Sequence, residues 1–276
     1  MSNSIACAVL GCNRPLYYRK VLDSLKKNTM AADVDWYFFV DGAKRNSIYV
    51  NEHTREYYAK PKDVRLVQKL AEKFPFEKEL IFSEENVGTG KMYQEWFKLS
   101  EIYDQVIYFE DDMIVSPYYI ELMVRMQENF PNEVVSGSDC VNSMLFPDAK
   151  LSDVRDSFCV NFWGFSITKD TYSKLSWEEY DQYVEETGPN HIQYEAYVME
   201  KYQIGGSSHD FLLSRIWEEN NIRFITTAIP RGRYIGSVGF NSDNKLFTNQ
   251  GFKNTKKYIF EEDQFISNFN WYKSYC

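Results

Sequence analysis

The residues in this sequence best suited to chemistry are three successive carboxylates, Glu110-Asp111-Asp112, directly after the apolar run Val106-Ile107-Tyr108-Phe109. Carboxylates at the end of a buried strand are costly to desolvate unless a positive group meets them. A hard divalent cation, Mn2+ or Mg2+, takes oxygen ligands and bridges one or two carboxylates to substrate phosphates. If the chain stays extended through the triplet, Glu110 and Asp112 face one side and Asp111 the other. The competing reading is a solvated acidic turn before a helix. Ser116-Pro117 would then supply the N-cap and first helical position.

Other polar sets follow other apolar runs. Asn13-Arg14-Pro15 offers a guanidinium for a diphosphate and the free N–H groups of a helix starting near Pro15. It also reads as a surface arginine and an ordinary helix start. Asp41-Gly42 can accept hydrogen bonds from a base or ribose, or can simply make an Asp-Gly turn. Gly88-Thr89-Gly90-Lys91 lets a backbone approach a ligand and brings Lys91 near phosphate. Its spacing matches neither a P-loop nor a dinucleotide fingerprint, and a helix entry explains the glycines somewhat better.

His209-Asp210 stands where a helix should begin. Asp210 can serve as a general base, although the helix dipole favours Asp in a first turn anyway. The histidines His53, His191 and His209 are isolated in sequence, and no G-x-S-x-G elbow occurs. Trp163-Gly164 reads as a sugar platform or as a core tryptophan. Arg231, Arg233 and the glycine-spaced residues 235–239 read as a lid closing over a phosphate or as a solvated loop.

These positions need a scaffold. Residues 5–10, 36–40, 80–82 and 106–109 read as strands, and residues 16–25 and 92–103 carry apolar positions at helical spacing. A polar, helix-prone stretch runs to about residue 73. Alternating strand and helix predicts an α/β fold with a parallel sheet and right-handed crossovers, whose ligands bind at the carboxyl ends of the strands. Asn13, Arg14, Asp41, residues 84–90 and the acidic triplet all fall at such ends. In the second half, residues 134–137, 158–163 and 223–229 read as strands, and 168–175, 178–202 and 209–220 as helices. The expected organisation is one compact domain over 1–276. Its donor half is 1–115, and its acceptor half, 116–276, carries a C-terminal lid.

Composition narrows the function. The 276 residues are 44% hydrophobic and 26% charged, as in a globular chain. A formal charge of -9 disfavours a general nucleic-acid binder. Five scattered cysteines without C-x-x-C argue against a disulfide framework and a thiolate zinc site. Without a long apolar run or a signal-peptide pattern, the expected location is the cytosol.

Taken in this order, the motifs resemble the GT-A (Rossmann-like) glycosyltransferase superfamily over residues 5–241, and within it the N-acetylglucosaminyltransferase I-like family. The resemblance rests on Cys12-Asn13-Arg14-Pro15 after the opening strand, Glu110-Asp111-Asp112 followed by Ser116-Pro117, Trp163-Gly164, Asp210 and residues 230–241. It implies an α/β fold with a mixed, mostly parallel sheet flanked by helices, and inverting transfer from a nucleotide-sugar, UDP-linked, to an acceptor hydroxyl. Asp112 would touch Mn2+ or Mg2+, as in a DXD motif, Asp41 would contact the nucleotide, and Asp210 would be the base. Asn13, Arg14, Gly88, Lys91, Glu110, Asp111 and Arg233 would line the donor, with Trp163 and Gly164 on the acceptor side. The missing anchor and the shorter chain suggest a bacterial or phage-encoded relative. The acceptor stays open between a glycan, a protein side chain and a modified DNA base, the last least favoured by charge. A sugar nucleotidyltransferase and a non-catalytic carbohydrate-binding protein are the rival readings.

Overall fold

The apolar runs form strands buried on both faces, and their side chains divide by the two-residue period of a strand. In β1 (Ile5–Gly11), Ala6 and Ala8 join one core and Cys7 and Val9 the other. In β4 (Gln105–Phe109), Val106 and Tyr108 face the first core and Ile107 and Phe109 the second. Such double burial is characteristic of parallel strands covered by helices. A computed structural model describes residues 4–43, 60–138, 146, 148–157, 163–188, 195–206, 208–237 and 268–272.

β2 (Asp35–Val40) and β3 (Lys78–Phe82) complete a parallel quartet in the order β3-β2-β1-β4. Three helices alternate with these strands: α1 (Pro15–Leu25), α2 (Pro61–Glu72) and α3 (Thr89–Phe97). Pro at the first helical position starts both α1 and α2, where its missing N–H and fixed φ carry little penalty. Beyond β4 the sheet turns mixed. β8 (Gly164–Thr168) runs antiparallel between β4 and β6 (Val134–Ser136). β9 (Phe224–Thr227) lies parallel to β6, β7 (Asp153–Asp156) antiparallel to β9, and β11 (Asn270–Trp271) beside β7. Among the described residues this is one continuous sheet from β3 to β11, so the expected α/β class with a mixed, mostly parallel sheet is what the chain adopts.

One core gathers α3, α6 (Glu178–Thr187), α7 (Glu195–Tyr202) and α8 (His209–Glu219) on one face of the sheet. The other gathers α1, α2 and α4 (Tyr119–Asn129). Many of the aromatic residues are core: Tyr93, Trp96, Tyr108, Phe165, Tyr180 and Trp36 are all at most 1% exposed. Each such side chain contributes about 2 to 3 kcal/mol through burial.

Several boundaries differ from expectation. The helix expected over 178–202 ends at Gly188, whose φ of 50° suits glycine, and α7 resumes at Glu195. Residues 189–194 lie outside the described set, as do 158–162 of the strand expected over 158–163. Trp163 lies in a turn, and β8 follows from Gly164, succeeded by α5 (Lys169–Ser173). The helix expected at Ser116-Pro117 starts at Tyr119. Ser116 does not cap it: its N–H donates to the Arg231 carbonyl, and among the described residues its buried hydroxyl has no partner. Residue 44 onward to 59, His53, His191 and the 238–241 part of the expected lid are also outside the described residues.

Candidate active site

The carboxyl ends of the parallel quartet carry three connected polar clusters. The first is built on Asp41, immediately after β2 and only 4% exposed. Its Oδ1 accepts from the N–H groups of Gly42 (2.8 Å) and Val87 (2.9 Å). Its Oδ2 accepts from Gly88 N–H (3.1 Å) and Asn86 Nδ2 (2.8 Å). An ionised carboxylate meeting several N–H donors is a strong acceptor, and here it ties the β3–α3 loop down onto β2. Gly42 is required at this approach, since a Cβ would lie 2.4 Å from the Glu85 carbonyl carbon. Gly88 has a φ of 84° and caps α3. Asp41→Ala would leave four donors without their acceptor. It is expected to lower stability by about 2 to 3 kcal/mol in urea unfolding, and a loss below about 0.5 kcal/mol would contradict the latch.

The second cluster is the acidic triplet. The chain does not stay extended through it. β4 ends at Phe109, residues 110–112 turn, and β5 (Met113–Val115) leaves to pair antiparallel with β10 (Gly232–Tyr234). The alternation expected for an extended triplet therefore gives way to a different grouping. Asp111 and Asp112, 5% and 2% exposed, share Arg14. Arg14 Nε donates to Asp111 Oδ2 (3.2 Å), one Nη pairs with Asp111 Oδ1, and the other lies 2.6 Å from Asp112 Oδ2. Burial alone lowers the Arg14 pKa, but the two carboxylates outweigh it and raise it well above its ordinary value. For Asp112, burial outweighs Arg14 and pushes the carboxyl up to about 6.

The segment after β10 crosses this pair. Ile235 N–H donates to the Asp112 carbonyl (2.7 Å), the Tyr234 hydroxyl hydrogen-bonds the Asp112 carboxylate, and Tyr17 and Ser237 hydroxyls meet at 3.1 Å. A Cβ on Gly236 would lie 2.3 Å from Asp112 Oδ2. Among the described residues, Asp112 Oδ1 is buried with no hydrogen-bond partner. That orphaned oxygen fits a single carboxylate ligand to a cation completed by water and phosphate. Among the described residues no group of three or more His, Cys, Asp or Glu side chains is arranged to hold a metal by itself.

The third cluster turns toward the helices of the first core. Glu110 Oε1 accepts from the Tyr93 hydroxyl (2.7 Å). Burial, then the negative charges of Asp112 and Asp210, raise the Glu110 carboxyl well above the usual carboxylate range. Tyr93 packs against the His209 ring with centroids 4.3 Å apart, and His209 Nε2 lies 2.9 Å from Asp210 Oδ1. Ser208 caps α8 and accepts from Asp210 N–H.

The fold thus brings Arg14, Glu110, Asp111, Asp112 and Asp210 into one electrostatic neighbourhood, with half-buried Asn13 beside Arg14. Lys91 instead faces the helix surface, paired with Gln94 and with Glu95 at 3.4 Å. Arg233 is half-buried, and burial lowers its pKa. Trp163 stacks on Tyr234 with centroids 3.9 Å apart, while Gly164 is buried under Met113, so one face of the Trp163 ring is covered. Tyr93, Tyr180 and Tyr234 were not singled out from the sequence. The available signal for Tyr93 was a phenol on the apolar face of α3, where a buried hydroxyl needs a polar partner.

No family model matches the chain, and no curated protein does. Among solved structures, S. aureus TarS matches with 13% identity and a TM-score of 0.40, covering 60% of this chain and 28% of that one. Residues 1–349 of TarS, in complex with UDP, match with 13% identity and a TM-score of 0.41, covering 66% of this chain and 53% of that one. The chain spans about half, or less, of the length of these structures. Among the described residues no helix is long and apolar enough to cross a membrane.

Proposed function

We propose that this chain is a metal-dependent, inverting glycosyltransferase of the GT-A kind, moving a sugar from a UDP-linked donor to an acceptor hydroxyl. The observation that carries the reading is the orphaned, buried Asp112 Oδ1 at the tip of the central strand β4, within the same neighbourhood as the half-buried carboxylate Asp210. Asp210 takes the acceptor proton, the freed oxygen attacks the anomeric carbon, and the bond from that carbon to the diphosphate oxygen breaks. Attack opposite the leaving group inverts the anomeric centre. Asp112 would hold a divalent cation, which when bound neutralises charge on the departing diphosphate. Arg14 holds Asp111 and Asp112 in place and opposes the effect of burial on Asp112. Trp163 and Gly164 border the acceptor side, and Asn13, Gly88, Lys91 and Arg233 remain donor-side assignments.

Thermal-shift measurements with UDP, UDP-glucose and UDP-N-acetylglucosamine, each with and without Mn2+, test this. A ligand present at about 100 times its Kd stabilises by about 2.7 kcal/mol, so the cognate donor with Mn2+ should raise Tm clearly. Asp112→Asn should lose the Mn2+-dependent part. Equal ligand-induced shifts in both proteins would remove the metal from the reading. Release of free UDP supports transfer, whereas pyrophosphate release would favour a nucleotidyltransferase.

A further inference from the structure

We propose that His209 is a positioning residue for Asp210, fixing the carboxylate by an Nε2–H bond in a ring-clamped His-Asp dyad; this rests on reading Asp210 as the base. Neighbouring residues on a helix do not ordinarily face each other. Here His209 and Asp210 open α8, and the imidazole nevertheless reaches Asp210 Oδ1 at 2.9 Å. The ring is 6% exposed, while the Asp210 side chain is 38% exposed. The carboxylate is therefore held from the protein side and presented toward the outside.

Two elements immobilise the imidazole. Tyr93 of α3 packs against it, the ring planes tilted by 56°. The Tyr180 hydroxyl of α6 is 3.4 Å from Nδ1 and itself donates to the Gly90 carbonyl at 3.1 Å. With that phenolic proton committed to Gly90, the Tyr180 oxygen can accept from Nδ1–H when the ring is doubly protonated. In the neutral ring the Nε2–H tautomer faces Asp210, so both protonation states keep the same donor on the carboxylate. The titratable groups around the ring are Asp210 on its own helix, Tyr93 with Glu110 behind it, and Tyr180 and Tyr183, whose phenols feel the Asp210 charge.

The decisive measurement needs no substrate. The chain has three histidines, so 15N-histidine NMR of the full-length protein resolves their rings, and His209→Gln identifies the signal. The expected neutral form carries its proton on Nε2, and Asp210→Ala should move the His209 Nε2–H proton resonance upfield, as loss of a charge-assisted hydrogen bond requires. An unmoved resonance in Asp210→Ala, or an Nδ1–H neutral form, overturns the dyad. In UDP release from UDP-glucose or UDP-N-acetylglucosamine, His209→Phe keeps the packing but lacks the donor. It should lower kcat on the order of tenfold to a hundredfold with KM unchanged. His209→Gln, which retains an N–H, should recover most of the loss, and equal loss in both variants overturns positioning. If the Nε2–H resonance moves as expected but Asp210→Asn turns over normally, the base reading fails while the dyad stands.

Discussion

Asp210→Asn is expected to lower sugar transfer by about a hundredfold to ten-thousandfold, the range that a positioned general base contributes. UDP binding should be preserved. The substitution is nearly isosteric, and the Ser208 cap accepts from the backbone N–H of residue 210, which Asn retains. Asn can still take a hydrogen bond from His209, so the first turn of α8 should keep its shape. What disappears is the capacity to accept a proton from an acceptor hydroxyl. Single-turnover UDP release measures the loss, and calorimetry with UDP and Mn2+ checks binding. Transfer within about threefold of wild type would move the base elsewhere, because a side chain that holds no proton cannot be replaced so cheaply if it performs the transfer.

Arg14→Met is expected to destabilise the fold by about 3 to 5 kcal/mol, the effect of removing one partner from a buried charge cluster. The arginine side chain is 17% exposed and its partners 7% and 3%, so solvent screens the group only slightly. Methionine keeps an aliphatic stem of similar reach, and the loss therefore reports the missing charge. Without the guanidinium, Asp111 and Asp112 would face each other with no cation, and burial already drives the Asp112 carboxyl toward its neutral form. Urea unfolding at neutral pH gives the magnitude. Adding Asp111→Asn to Arg14→Met should recover part of the loss, since the double variant buries one fewer uncompensated charge. A loss below about 1 kcal/mol, or none recovered in the double variant, would mean that the cluster is hydrated and contributes as surface pairs do.

The parallel quartet was legible because β1, β2 and β4 are near-continuous apolar runs, which only a sheet covered on both faces accommodates. The polar residues after those runs were legible for the same reason, since the chain has to leave the sheet there. Short elements were not. β5 and β10 have three residues each, too few to show a period, and they find each other only across the folded site. β7 reads as polar because Asp153 and Arg155 are drawn into hydrogen bonds and a ring contact on the far edge of the sheet. The grouping inside the triplet was hidden by the turn at 110–112, and Arg14 as the shared cation depended on tertiary approach. His209 appeared isolated in sequence. Its environment comes from α3 and α6, and no local pattern encodes it.

The Asp41 latch has a consequence for recognition. Residues 86–88 are already frozen by four hydrogen bonds before any ligand arrives. A partner resting on that loop meets a finished surface, so the conformational entropy of ordering it is lost during folding and not again on association. Loosening the latch should therefore weaken complex formation through the free state, even if every contact in the bound state survived unchanged.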